Sequence, residues 1–129
     1  MQEVIEALAL TCNNANGLHV IKKLLSLCTL PEYEKYQPQI IAQMAANCIE
    51  LAQNPYGNYG LQIALDSYPQ ERCVPIIESI KGKVAHLSVT KYSSNVVERC
   101  FEKAGPKLCA QLIGELIQAD NLISTSHPS

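Results

Sequence analysis

The chain says one short helical phrase twice, and the interval between the two copies limits the folds open to it. Pro55-Tyr56-Gly57-Asn58-Tyr59-Gly60-Leu61-Gln62 returns as Lys91-Tyr92-Ser93-Ser94-Asn95-Val96-Val97-Glu98, 36 residues later. An interval of that size marks stacked helical units rather than a one-piece core. The apolar positions keep the same step: Ile40, Ile76 and Leu112; Ile41, Ile77 and Ile113; Met44, Ile80 and Leu116; Leu51 and Leu87. Each helix carries a stripe that it cannot bury alone, so its neighbours must stack on it.

An earlier copy, Asn16-Gly17-Leu18-His19-Val20-Ile21-Lys22, precedes the Gly57 copy by 40 residues. The four extra residues fall in the stretch from Leu27 to Pro38, where Pro31, Pro38, Tyr33 and Tyr36 mark a loop. Lengthening a loop costs little. Before it, Val4, Ile5 and Leu8 have helical spacing, Asn13-Asn14 mark a break, and Val20, Ile21, Leu24 and Leu25 predict a helix from Ala15 to about Ser26. The expectation is one all-α domain: units at about 1–35, 36–71 and 72–105, the start of another at 106–118, and a polar, flexible tail over 119–129. Neither end looks like a polar capping repeat, so the chain reads as a piece of a longer array whose uncapped ends favour self-association.

Composition removes several function classes. The 129 residues are 47% hydrophobic and 17% charged, with a net charge of -2, which argues against a generic basic nucleic-acid binder. The six cysteines (Cys12, Cys28, Cys48, Cys73, Cys100, Cys109) form no C-x-x-C pair and no zinc spacing. In apolar helical contexts they read as small hydrophobes, reduced, in an intracellular protein. No apolar run approaches the ~20 residues that span a bilayer. Neither a catalytic triad, a phosphate loop nor a metal motif is present, so no enzyme activity, metal or cofactor is expected.

These phrases resemble the helices of the Pumilio (PUF) family of RNA-binding repeat proteins. Ser93-Ser94-Asn95-Val96-Val97-Glu98-Arg99-Cys100 is similar to that family's S-N-V-V-E-[KR]-C helix, and Gly57 to Gln62 to its G-N-Y-x-x-Q helix. Asn16 to Lys23 is similar to N-G-N-H-V-V-Q-K, with departures at Leu18 and Lys22. The resemblance implies a right-handed α-solenoid of three-helix repeats, curved, with the second helix of each repeat lining a concave RNA-binding face. Each such helix would offer two base-edge residues four apart and one stacking residue. Residues i and i+4 lie one above the other on a helix, so both can address one flat base.

Carried over residue by residue, Asn58 and Gln62 form one edge pair with Tyr59 stacking, and two carboxamides suit uracil's acceptor–donor–acceptor edge. Ser94 and Glu98 form the next, with Asn95 stacking, and an ionised carboxylate accepts both guanine donors, N1–H and N2–H. The family's antiparallel binding gives 5′-GU-3′, part of a UGU-type element in an mRNA 3′ untranslated region. The implied role is post-transcriptional regulation in the cytoplasm, with regulatory proteins on the convex face. In the first unit His19 can stack, but Leu18 and Lys22 specify no base. That unit is permissive, or meets phosphate through Lys22 and Lys23, or does not engage RNA. Arg99 joins the set as a cation beside Glu98.

Two further readings stand beside this one. An armadillo- or HEAT-like protein scaffold shares the stacking but gives no reason for Asn-Tyr-x-x-Gln and Ser-Asn-x-x-Glu to recur in register. A nucleolar PUF-like branch binds nucleic acid with little sequence preference and tends to lose the readers. Outside the readers, Tyr92, which aligns with Tyr56, reads as packing between repeats, His86 as a partly buried structural histidine between Val84 and Leu87, and His127 as part of the tail.

Overall fold

In the computed structural model, residues 11–126 are described, with side chains through Ala119. The segment carrying Val4, Ile5 and Leu8, and His127, lie outside the described residues. All the regular structure described is helical: α1 Ala15–Leu27, a 3₁₀ turn at Glu34–Tyr36, α2 Gln37–Ala46, α3 Cys48–Ala52, α4 Gly57–Ser67, α5 Gln70–Ser79, α6 Val84–Ser88, α7 Ser93–Lys103 and α8 Pro106–Ser126. The predicted helix from Ala15 is therefore present and runs one residue past Ser26.

The helices form an α-solenoid in which α1, α4 and α7 stack side by side in one layer, while α2 lies along α5 in a second. The short helices α3 and α6 connect the layers, each packed beneath the long helix that follows it. The periodic apolar residues are the core: Ile40, Ile76 and Leu112 are fully buried, as are Met44, Ile80, Leu51 and Leu87. Removing apolar surface of this kind from water contributes roughly 1.5–3 kcal/mol per large side chain.

Local chemistry sets the ends of the long helices. Asn14 and Asn54 occupy matching positions ahead of α1 and α4. The Asn14 side-chain oxygen accepts from Gly17 N at 2.7 Å, and that of Asn54 accepts from Tyr56 N and Gly57 N, both at 2.9 Å. Each satisfies donors that a helix start leaves without a partner. In the longer 27–38 connection, Pro38 sits in the first turn of α2, where its missing N–H is no loss. Buried Gln37 donates to Cys28 O at 2.7 Å and closes the inserted loop.

Tyr68, at the end of α4, is buried and its hydroxyl donates to Leu25 O of α1 at 3.1 Å. Tyr68→Phe keeps the ring and removes that bond. We expect a loss of about 1–2 kcal/mol, read as a lower denaturant midpoint with unchanged slope.

The last unit departs from the period. Glu115 of α8 accepts from Gly82 N at 2.9 Å and Val84 N at 2.8 Å, capping α6 with a carboxylate. Its counterpart in α5 is Ser79, whose hydroxyl bonds its own helix at Ile76 O. In this unit α8 packs on α6. Ile113 is 45% exposed, although its counterparts Ile41 and Ile77 are buried. Helical backbone continues past Gln118, to Ser126. Polar residues such as Asp120 and Asn121 do not by themselves stop a helix.

All six cysteines are free thiols, five of them buried and Cys109 half-buried. Burial pushes Cys12 and Cys73 up to about 11 and raises Cys28, Cys48 and Cys100 as well. The fold thus holds protons that an unfolded thiol begins to release near pH 9. The contribution of these thiols is complete below pH 9 and is lost as pH rises from about 9 toward 11. Alkylation of the native chain at pH 8 should mark Cys109 first, with the other five labelled only on unfolding; mass spectrometry of the labelled peptides checks this.

Candidate nucleic-acid interface

The expected reader residues all lie on the layer formed by α1, α4 and α7, in the register that the period requires. His19, Tyr59 and Asn95 occupy one row across the three helices, and all are exposed, Tyr59 by 53%. Lys22, Gln62 and Glu98 form the row three residues further on. Lys22 and Glu98 are exposed and Gln62 is half-buried. Neither Lys22 nor Glu98 has an ion-pair partner among the described residues. The layer therefore runs from a cation on α1, through a neutral amide on α4, to a free carboxylate on α7.

The third row, Leu18, Asn58 and Ser94, lies deeper. Leu18 is half-buried and packs against the core. The Ser94 hydroxyl, on a half-buried residue, donates to Lys91 O at 3.2 Å. Asn58 is fully buried, at 0% exposure. Its Nδ2 donates to Asn54 O at 2.8 Å and Pro55 O at 2.9 Å, and its Oδ1 accepts from Gln62 Nε2 at 2.9 Å. Both Asn58 donors thus go to backbone carbonyls, and Gln62 is the more exposed member of the expected edge pair.

Arg99 also changes role. Its Nε lies 3.4 Å from Asp66 Oδ1 on α4, without hydrogen-bond alignment, and its Nη1 lies 3.5 Å from Glu102 Oε2. It links adjacent helices of the layer rather than standing beside Glu98 as a free cation. Both pairs are substantially exposed, so each contributes less than about 1 kcal/mol.

Tyr92 is half-buried, with the Lys91 ammonium 5.4 Å from its ring centroid, and its counterpart Tyr56 is 41% exposed. One further residue departs from expectation. His86 is exposed; Val84 and Leu87 are buried, but a residue two along from Val84 in a helix points away from it.

Sequence reasoning passed over the capping asparagines and Gly57. A Cβ on Gly57 would sit 2.7 Å from Leu51 O, so glycine permits the start of α4 to meet α3 closely. The recurrence of Asn14 and Asn54 three residues ahead of Gly17 and Gly57 was the available signal.

Comparison with known proteins assigns this geometry to a family. The profile described as Pumilio-family RNA binding repeat matches residues 47–81 and 83–117, more than half of the chain. These spans begin at the short helix, so the long helix bearing the readers is the second of three. Units divided at 36 and 72 instead place it third. Pumilio homolog 12 of Arabidopsis thaliana is 36% identical over 107 residues, which is 83% of this chain and 17% of that protein. Putative pumilio homolog 8, chloroplastic, of the same plant is 31% identical over 79% of this chain and 19% of its own length. The chain spans less than a fifth of these relatives. Among solved structures, a Puf4 double mutant bound to the Cox17 RNA 3′ UTR recognition sequence superposes with a TM-score of 0.81 at 16% identity, over 92% of this chain and 39% of that one. PUF-8 in complex with PBE-RNA does so at 0.76 and 19% identity, over 94% and 35%. By its repeats, its stacked helices and these matches, the chain belongs to the Pumilio family of RNA-binding repeats.

Proposed function

We propose that the chain binds single-stranded RNA along the α1–α4–α7 layer at one base per repeat, and that α7 and α4 select 5′-GU-3′ within a UGU-type element. Such binding in an mRNA 3′ untranslated region would serve post-transcriptional regulation. The observation that carries this reading is Glu98: an exposed carboxylate with no partner among the described residues, in line with Gln62 and beside the exposed row of His19, Tyr59 and Asn95. A free carboxylate on a surface that must meet a polyanion is unfavourable unless it gains a specific contact. Guanine supplies one, since N1–H and N2–H are parallel donors that a carboxylate accepts as a fork. Sequence-specific recognition of RNA also favours unpaired bases splayed on side-chain platforms, and Tyr59 and His19 are such platforms. The related Puf4 and PUF-8 structures hold RNA, which agrees with this use of the layer.

The test is an NMR titration of the chain with r(UGUA) and with r(UAUA), at two salt concentrations. A preference of tenfold or more for the guanine-containing RNA, kept at the higher salt, supports the reading. Equal binding of the two removes it.

Lys22 gives a contrasting expectation. A lysine donates only, and as a point charge it suits phosphate. Lys22→Ala should weaken binding to both RNAs alike and reduce the salt slope by roughly 0.7, the share of one phosphate contact on a single strand.

A further inference from the structure

We propose that copies of this chain associate end to end, the outer face of α1 in one copy seating on the outer face of α7 in another, in the register that α1, α4 and α7 keep within one chain. The reader layer then runs on from α7 into α1 of the next copy. That consequence rests on the RNA-binding reading above; the association does not, and its test uses no RNA.

The chain itself shows how such faces are covered. Leu25 of α1 and Leu65 of α4 are fully buried, whereas Phe101, at the same position of α7, is half-buried. Gly60 and Ala64 of α4 and Val96 and Cys100 of α7 are buried, with α1 stacked before α4 and α4 before α7. At the same positions of α1, Val20 is 59% exposed and Leu24 half-buried. Each end thus carries the apolar residues that its counterparts bury against a neighbouring helix. On α1 they form a continuous groove: Val20, Leu24 and Leu27 line it beside Lys23, and Leu24 and Leu27 carry it on to Tyr33 and Tyr36 of the inserted loop.

Charge selects the occupant. Within the chain Arg99 of α7 reaches back across the stack, its Nε 3.4 Å from Asp66 Oδ1 of α4. Lys23 stands where Arg99 does, two units earlier, and Glu102 stands where Asp66 does, one unit later. Lys23 is exposed and without an ion-pair partner among the described residues, and exposed Glu102 meets only Arg99 of its own helix. Seating α1 on α7 in the existing register therefore sets an ammonium of one copy against a carboxylate of the other, as the Arg99–Asp66 pair does inside each. Lys22 and Glu98, both unpaired within a copy, become neighbours in one row. Two α1 faces brought together would instead oppose lysine to lysine. A contact between unlike faces leaves one of each free, so association does not stop at two copies.

Sedimentation equilibrium of the chain, up to the high micromolar range, tests this. The average mass of the parent should rise with concentration past that of two copies. Val20→Glu should hold the chain monomeric with its urea midpoint unchanged, since that side chain is already exposed. Lys23→Glu should weaken association about tenfold, and adding Glu102→Lys should restore it to within about threefold of the parent. Lys23→Glu with Glu78→Lys, a pair of the same net charge with its lysine on α5 of the second layer, should stay weak. A parent that remains monomeric would leave these faces to another polypeptide and overturn the proposal. So would association that survives Val20→Glu, a mass that stops at two copies, or a Lys23→Glu/Glu102→Lys chain no better than Lys23→Glu alone.

Discussion

Gly17→Ala should destabilise the chain by about 3 kcal/mol and lower its thermal midpoint by roughly 10 °C, although alanine is the better helix former. A Cβ at Gly17 would overlap Thr11 O and fall 2.6 Å from Thr11 C, both backbone atoms that cannot swing aside. The propensity gain for exchanging glycine with alanine is at most ~1 kcal/mol, and less in a first turn. Relief requires α1 to move off the segment before it, which also draws Ile21 and Leu25 from the core. The same position recurs at Gly57, where a Cβ would meet Leu51 O at 2.7 Å, and at Ser93, where the packing admits a side chain whose hydroxyl donates to Leu87 O at 2.7 Å. Gly114→Ala provides the opposite sign: nothing lies within 4 Å of its Cβ site in exposed α8, so stability should rise by roughly 0.5–1 kcal/mol. Urea unfolding of the two variants beside the parent checks both. A neutral Gly17→Ala would mean that the close approach of α1 to Thr11 is not tight in solution.

Much of this architecture was legible because a 36-residue step places equivalent residues in equivalent surroundings. Ile40, Ile76 and Leu112 were matched by sequence and are buried alike, and the reader rows fall on one layer as the period required. A period assigns a face but not a depth. Gln62 and Asn58 sit four apart on one helix face, yet Asn58 is sealed beneath the surface by two carbonyls of the preceding turn. Pairings across the stack were equally hidden: Arg99 follows Glu98 in the chain, but one residue is about 100° of helix, and that turn directs it to Asp66 on the neighbouring helix. The Glu115 cap on α6 joins residues 31 and 33 apart, and no local pattern announces it. His86 was readable, since helical spacing from Val84 and Leu87 puts it on the outer side; adjacency to apolar neighbours was the wrong guide.

The larger functional effect is expected at Glu98. Glu98→Ala should weaken binding to r(UGUA) by about 10- to 100-fold and leave r(UAUA) nearly unchanged, because a bidentate base contact is worth roughly 1–3 kcal/mol of discrimination. Stability should stay within about 0.5 kcal/mol of the parent, since the side chain is exposed and has no partner among the described residues to strand. Glu98→Gln separates charge from shape. The amide keeps one acceptor for guanine but sets an N–H against the second donor, so it should lose most of the guanine preference while filling the same volume. Because Ser94 bonds Lys91 O and offers no fixed acceptor, an amide introduced there would turn freely, and no other base should gain a clear preference. Fluorescence anisotropy with the two RNAs, together with urea midpoints for each variant, measures both sides. Equal weakening on the two RNAs would reduce Glu98 to a bystander of phosphate binding, whereas selective loss without loss of stability assigns guanine to the carboxylate itself.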